Sequence, residues 1–326
     1  LCVPQQQQQR ALPVGPGMAC CAQAASAAAA TCLRCHGTHA AAKGAHGNDV
    51  WLPEGIDKKS KESLPVIYMQ DGEMMFRYPE SLFAGSDYFW DVDKAITRLV
   101  KNNEIRPPIV VAVASALDRS HENWHKDARR AEYMPQKPVE ENLKSRMQSG
   151  EVRPTDIGGI EEEGYVISSD NYLKFLVDEL KPFIDKTYPT LTGQADTFII
   201  GSSMGGLISA YAVAEYSEVY GGAACLSSAW TAMDGVTSGW HNDVIVEWLS
   251  SHWPNAGRNR VYFDYGTKEL DAKYESRQKK MDDALSKHGF VEGKDWVTRR
   301  FVGAGHGPKD WRERVHIPLR FLLGID

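Results

Sequence analysis

A chain of 326 residues with net charge −6 and a pI near 6.0 carries no basic footprint for nucleic acid or an anionic membrane surface. No run reaches the roughly 18 consecutive apolar residues that span a bilayer; the Ala-rich stretch 22–31 is too short, and lacks the basic start and Leu-rich core of a signal peptide. Cys2, Cys20, Cys21, Cys32 and Cys35 crowd the front and only Cys225 lies in the body, so the body does not depend on disulfides, and compartment and oligomeric state stay open.

Residues 1–45, with a Gln5 to Gln9 run, alanines and clustered cysteines, show no hydrophobic period and read as a low-complexity or disordered extension. Cys32, Cys35 and His36 match the CxxCH of haem attachment, but a haem needs an apolar pocket and a second axial ligand, which this stretch does not offer. No cofactor and no metal are expected. From residue 46 to 326 the chain reads as one globular domain. Residues 49–53 end a strand, and 65–69 (PVIYM) form a short β-rich run closing on Gln70-Asp71-Gly72-Glu73.

Residues 93–102 predict an amphipathic helix and 109–114 (IVVAVA) a buried parallel strand. A polar, irregular segment to Pro138, with Arg119, His121, Trp124, His125, Arg129, Arg130, Glu132 and Tyr133, is placed where loops line pockets. The charged stretch 137–164 reads as a surface insertion able to act as a lid. Ser169 or Asp170 then caps a helix with apolar Leu173, Leu176, Val177, Leu180, Phe183 and Ile184, ended by Pro189.

The chain is organised around residues 197–216, TFIIGSSMGGLISAYAVAEY: an apolar strand, a turn at Gly201-Ser202-Ser203-Met204-Gly205, and a helix. That is the context in which GxSxG forms a nucleophile elbow. Strand and helix must crowd together there, so the flanking positions need to be small, and both are glycine. A serine hydroxyl attacks an ester only when a base takes its proton and donors hold the oxyanion. The N–H of Met204 is one such donor. Beyond it, strands at 222–227, 260–265 and 296–302 alternate with helices at 244–253, 272–288 and 310–323, which predicts one doubly wound α/β sheet, mostly parallel, with helices on both faces.

In this architecture the order is Ser, acid, His. His288 sits at a helix end and His316 inside the last helix, whereas His306 lies in the loop Gly303-Ala304-Gly305-His306-Gly307 after the last strand, from which an imidazole reaches the elbow as general base. The acid belongs to the loop after the preceding strand. Asp271 is preferred, Glu269 is the alternative, and Asp264 is set within the sheet by strand alternation.

The segments VWLPEG (50–55), VIYMQDGEMMF (66–76), IIGSSMGG (199–206), YFDYGTKELDAKY (262–274) and GAGHGPKDW (303–311) together resemble the esterase family of α/β-hydrolases, which holds enterochelin, feruloyl and acetyl-xylan esterases, carboxylesterase D-like enzymes and mycolyltransferases. The resemblance implies Ser203 as nucleophile, His306 as base, the N–H of Glu73 as second oxyanion donor and Asp271 as acid. A GTxD pattern would instead point to Glu269. Relatives lead into VWLP with further strands, where this chain has its Ala, Cys and Gln-rich stretch. The expectation is a serine esterase acting on small-molecule esters through an acyl-enzyme. Its rivals are an acyltransferase of the same fold and a catalytically silent binding domain.

Overall fold

The computed structural model describes residues 19–21, 31–38, 45–77, 87–115, 124–150, 167–232 and 243–325. Strands β1 (Ala19–Cys21), β2 (Thr31–Thr38), β3 (Ala45–Leu52), β4 (Val66–Gln70), β5 (Ile109–Val113), β6 (Thr197–Ser202), β7 (Gly222–Leu226), β8 (Arg260–Gly266) and β9 (Trp296–Phe301) join in one sheet, in the order 1-2-3-5-4-6-7-8-9. From β5 through β4 to β9 every neighbour is parallel. At the other edge β1, β2 and β3 add antiparallel. Two segments inside residues 1–45 therefore belong to the sheet and not to a tail. A ladder joins backbone groups whatever their side chains, so these edge strands show no apolar period. Of the Cys32, Cys35 and His36 motif, the backbone on β2 is described and the side chains are not.

The central strands are apolar throughout because both faces are covered. Val66 and Tyr68 of β4 and Ile199 of β6 face one core with helices α2 (Trp124–Tyr133), α4 (Ser169–Lys174), α6 (Met204–Glu215), α7 (Val244–His252) and α8 (Glu275–Lys287). Ile67, Met69, Phe198 and Ile200 face the other, with α1 (Val92–Lys101), α9 (Pro308–Arg314) and α10 (His316–Leu323). Helix α6 is buried almost all round, as its unbroken apolar run requires.

Several elements differ from their sequence patterns. Of the segment read as irregular before Pro138, residues 124–133 form α2 and Arg119 and His121 lie outside the described residues, while α3 (Gln136–Gln148) takes up the start of the supposed lid. Helix α2 hides its period because polar side chains anchor it: Arg129 pairs with Asp71, and Asp71 N donates to Tyr133 Oη at 3.1 Å. Helix α3 docks on α7 through Trp248 Nε1 donating to Glu141 at 2.9 Å. The lid residues from 151 onward lie outside the described residues.

Neither Ser169 nor Asp170 caps α4. Ser168 holds the cap position without a side-chain bond, while Ser169 Oγ accepts from Gln136 N at 2.9 Å and Asp170 accepts from Tyr211 at 2.7 Å. A π-helical turn over Phe175–Leu180 joins α4 to α5 (Lys181–Thr187). Pro182 brings no N–H to the ladder and crowds the carbonyl four residues back, which widens the turn. Pro318 likewise has no N–H to give Arg314, and the expected single C-terminal helix is divided at Val315 into α9 and α10.

Candidate active site

Ser203 occupies the bend between β6 and α6 with φ 57° and ψ −123°, a conformation that costs a non-glycine residue about 1–3 kcal/mol. Its surroundings hold it there. Ser203 N donates to Leu226 O at 2.9 Å, and its carbonyl accepts from Ala229 N at 3.0 Å and Leu207 N at 3.1 Å. A Cβ on Gly201 would stand 2.4 Å from the Gly205 carbonyl carbon, and one on Gly205 3.0 Å from Asp71 Oδ2. Strand and helix approach this closely only because both positions are glycine.

His306 follows β9 and brings Nε2 to 2.9 Å from Ser203 Oγ, while its Nδ1 lies 2.5 Å from Asp271 Oδ1. Trp311 and Tyr274 stand nearly perpendicular to the ring, with centroids 5.2 and 5.9 Å from its own, which fixes its plane. Asp271 sits in a 3₁₀ turn, Glu269–Lys273, after β8. Its other oxygen, Oδ2, accepts from Gly266 N at 2.6 Å and Ser227 Oγ at 2.5 Å. A carboxylate only accepts, so the proton between Asp271 and His306 sits on Nδ1 and leaves the Nε2 lone pair facing Ser203. Glu269, the alternative acid, is exposed and touches the backbone instead, its Oε2 accepting from His306 N at 2.8 Å.

Behind Asp271 lies a buried polar cluster that the sequence reading missed. Ser227, at φ 44°, receives hydrogen bonds on Oγ from Trp311 Nε1 at 3.0 Å and Arg314 Nη2 at 2.6 Å. The same Nη2 lies 3.0 Å from Asp264 Oδ1 and 3.8 Å from Asp271 Oδ2. Asp264 is buried within β8 as strand alternation requires. Burial pushes its carboxyl up to about 6, against the pull of Arg314. The available signal was Arg314 itself, three residues after Trp311 on the inward face of α9; a buried guanidinium there needs a partner.

On the opposite side, the turn after β4 abuts the bend. Asp71 is left-handed (φ 56°) and holds Arg129 through both carboxylate oxygens, Nη2 to Oδ2 at 2.7 Å. Gly72 has no room for a Cβ, which would meet Ala112 C at 2.5 Å. The Glu73 carboxylate accepts from Ser115 Oγ at 2.9 Å and Ser115 N at 3.2 Å and is also reached by its own N–H. Burial, then the nearby Asp71, raise its pKa from the usual carboxylate value.

The remaining histidines considered for the site stand apart from it. His288 Nε2 meets Ser250 O at 2.8 Å, and His316 opens α10, its pKa lowered by burial and by Arg320 and Arg98. Of the tryptophans considered as cleft aromatics, Trp230 is core, donating to Gln278 at 2.9 Å, and Trp311 backs His306. The Trp124 side chain and Trp240 lie outside the described residues. Among the described residues no group of three His, Cys, Asp or Glu is arranged to hold a metal ion, and no helix is long and apolar enough to cross a membrane.

A doubly wound, mostly parallel sheet with a serine on the strand-to-helix bend and an imidazole from the last strand defines an α/β-hydrolase. The family model described as "Putative esterase" matches residues 42–155 and 163–318. The chain belongs to that esterase family and is a carboxylic ester hydrolase. Among solved structures it is similar to a ferulic acid esterase, at 17% identity and TM-score 0.60, covering 90% of this chain and 98% of that one. It is also similar to the ferulic acid esterase of the anaerobic fungus Anaeromyces mucronatus, at 18% identity and TM-score 0.54, over 92% and 91%. A third is the enterobactin esterase of Shigella flexneri, at 17% identity and TM-score 0.59, over 90% of this chain and 58% of the other. At these identities the likeness is one of fold. No curated protein matches the chain.

Proposed function

We propose that the protein is a serine esterase working through an acyl-enzyme. Ser203 attacks the ester carbonyl as His306 Nε2 takes its proton, and Asp271 holds the imidazole and stabilises the imidazolium. The tetrahedral oxyanion is held by the N–H of Met204, which as the first residue of α6 has no partner within the helix, and by that of Glu73. The oxyanion would draw the Glu73 N–H away from the residue's own carboxylate, which keeps both Ser115 donors. His306 then protonates the leaving alcohol, and water repeats the sequence to release the acid. The observation that carries this reading is the unbroken line from Asp271 Oδ1 to His306 to Ser203 Oγ, at 2.5 and 2.9 Å. The unit that does this is residues 46–326, to whose sheet the described segments of residues 1–45 add edge strands.

The substrate is a small-molecule ester. Ferulic acid esters and enterobactin, named for the structural neighbours, belong in the first substrate panel with short acyl and acetyl-sugar esters. A fluorophosphonate should label Ser203, and Ser203→Ala should abolish both labelling and p-nitrophenyl acetate hydrolysis while the melting temperature holds. Turnover by the folded Ser203→Ala protein would overturn the assignment.

A further inference from the structure

We infer that Ser227 is a positioning residue for the reaction: its hydroxyl proton is directed onto Asp271 Oδ2 and locks the acid against His306. This rests on the Ser203, His306 and Asp271 reading above and extends it by one residue.

The argument is one of donors and acceptors. A serine hydroxyl has one proton and two lone pairs. Trp311 Nε1 at 3.0 Å and Arg314 Nη2 at 2.6 Å can only donate, so they occupy the lone pairs. The proton has one acceptor left within reach, Asp271 Oδ2 at 2.5 Å. With Gly266 N on the same oxygen at 2.6 Å, the outer face of the carboxylate is closed. Oδ1 is then held toward Nδ1, which keeps the imidazole in the tautomer that can act as base.

The backbone supports the same role. Ser227 stands at φ 44° just after β7, with its N–H on Asp264 O at 2.9 Å and Asp264 Oδ1 at 3.1 Å. Arg314 pairs with that second carboxylate at 3.0 Å. One guanidinium thus answers two buried acids, and Ser227 joins them.

The test is a double-mutant cycle in the full chain. Glycine is at ease at positive φ, so Ser227→Gly removes the hydroxyl without backbone strain. It should lower kcat for p-nitrophenyl acetate by about ten- to a hundred-fold, the weight of a hydrogen bond to a charged group, with KM within about two-fold. In an Asp271→Asn background the same change should lower kcat by no more than about three-fold, because residues that act as one unit do not lose activity independently. Equal fold-losses in both backgrounds, or unchanged kcat in the single variant, would overturn the proposal. Should Ser227→Gly melt early, the same cycle is run at a temperature where all four proteins are folded by circular dichroism, and equal fold-losses there count equally against the proposal. Fluorophosphonate labelling of wild-type Ser203 separates the two levels, since its absence defeats the esterase mechanism, while its presence with a failed cycle defeats only the role of Ser227.

Discussion

Replacing Asp271 by asparagine tests the hydrogen-bond logic of the site. The amide must face His306 Nδ1 on one side and both Ser227 Oγ and Gly266 N on the other, where the native distances are 2.5, 2.5 and 2.6 Å. Its oxygen can serve one side only. Turned toward His306, it sets its NH₂ against the fixed Gly266 N–H, and an unmet buried donor costs about 1–3 kcal/mol. Turned away, it offers NH₂ to Nδ1, so the imidazole moves its proton to Nε2. That second arrangement is favoured, and it leaves no lone pair to take the Ser203 proton. The expected loss in kcat is about 10³–10⁴-fold, or roughly 4–5.5 kcal/mol of transition-state stabilisation. Glu269→Gln should stay within about five-fold, because an exposed carboxylate on a backbone N–H contributes little. Both are read from steady-state hydrolysis of p-nitrophenyl acetate with melting curves alongside. If Asp271→Asn kept more than about a tenth of wild-type kcat, or Glu269→Gln lost more activity than Asp271→Asn, the assignment of the acid would be wrong.

Gly201→Ala presses a methyl against the Gly205 backbone at 2.4 Å, where no side chain can yield; a destabilisation of about 3 kcal/mol is expected from urea unfolding, and an unchanged midpoint would contradict the packing argument. Arg129→Met leaves the Asp71 carboxylate buried without its cation; because a quarter of the Arg129 side chain is exposed, the expected cost is discounted to about 2–3 kcal/mol, with kcat falling as the Glu73 turn loosens, and full stability would show the pair to be idle. Asp264 binds its proton more tightly folded, at about 6, than at its ordinary value of 3.8. Its contribution is therefore complete below pH 3.8 and is lost as pH rises through about 6. The stability of the wild type relative to Asp264→Asn should fall by about 2 kcal/mol between pH 4 and about 6.5, and a flat difference between denaturation curves taken at those two pH values would refute it.

Much of the architecture was legible because its signals are local. IVVAV in β5 and TFIIGS in β6 are apolar from end to end, and burial on both faces allows little else. The bend at Ser203 and the loop at His306 were legible for a similar reason: a glycine-flanked bend and a glycine-rich loop declare themselves within a few residues. Helix α2 was not, because Arg129 turns inward to an ion pair formed across 58 positions, and a periodicity count reads such a residue as solvent-facing. Pattern reading preferred Asp271 to Glu269 without separating them in space. They are two residues apart, and only the 3₁₀ turn sends one carboxylate under the imidazole and leaves the other at the surface.

Topology explains why the polar cluster escaped notice and why it stands where it does. Strands β6, β7, β8 and β9 are consecutive parallel neighbours, and their carboxyl ends deliver Ser203, Ser227, Gly266 with Asp271, and His306 in that order. Side chains that follow adjacent parallel strands at the same edge must meet there. A residue after β7 therefore falls between Ser203 and Asp271 and is placed to touch the Asp271 carboxylate from behind. Helix α9 begins two residues after His306 and returns across this edge, which brings Trp311 and Arg314 onto Ser227. Each of these positions looks ordinary by itself: a serine ending a strand, and an arginine three residues after a tryptophan. Their meaning lies in the strand order, and that order follows from the helical crossovers that force each new strand to lie beside the last.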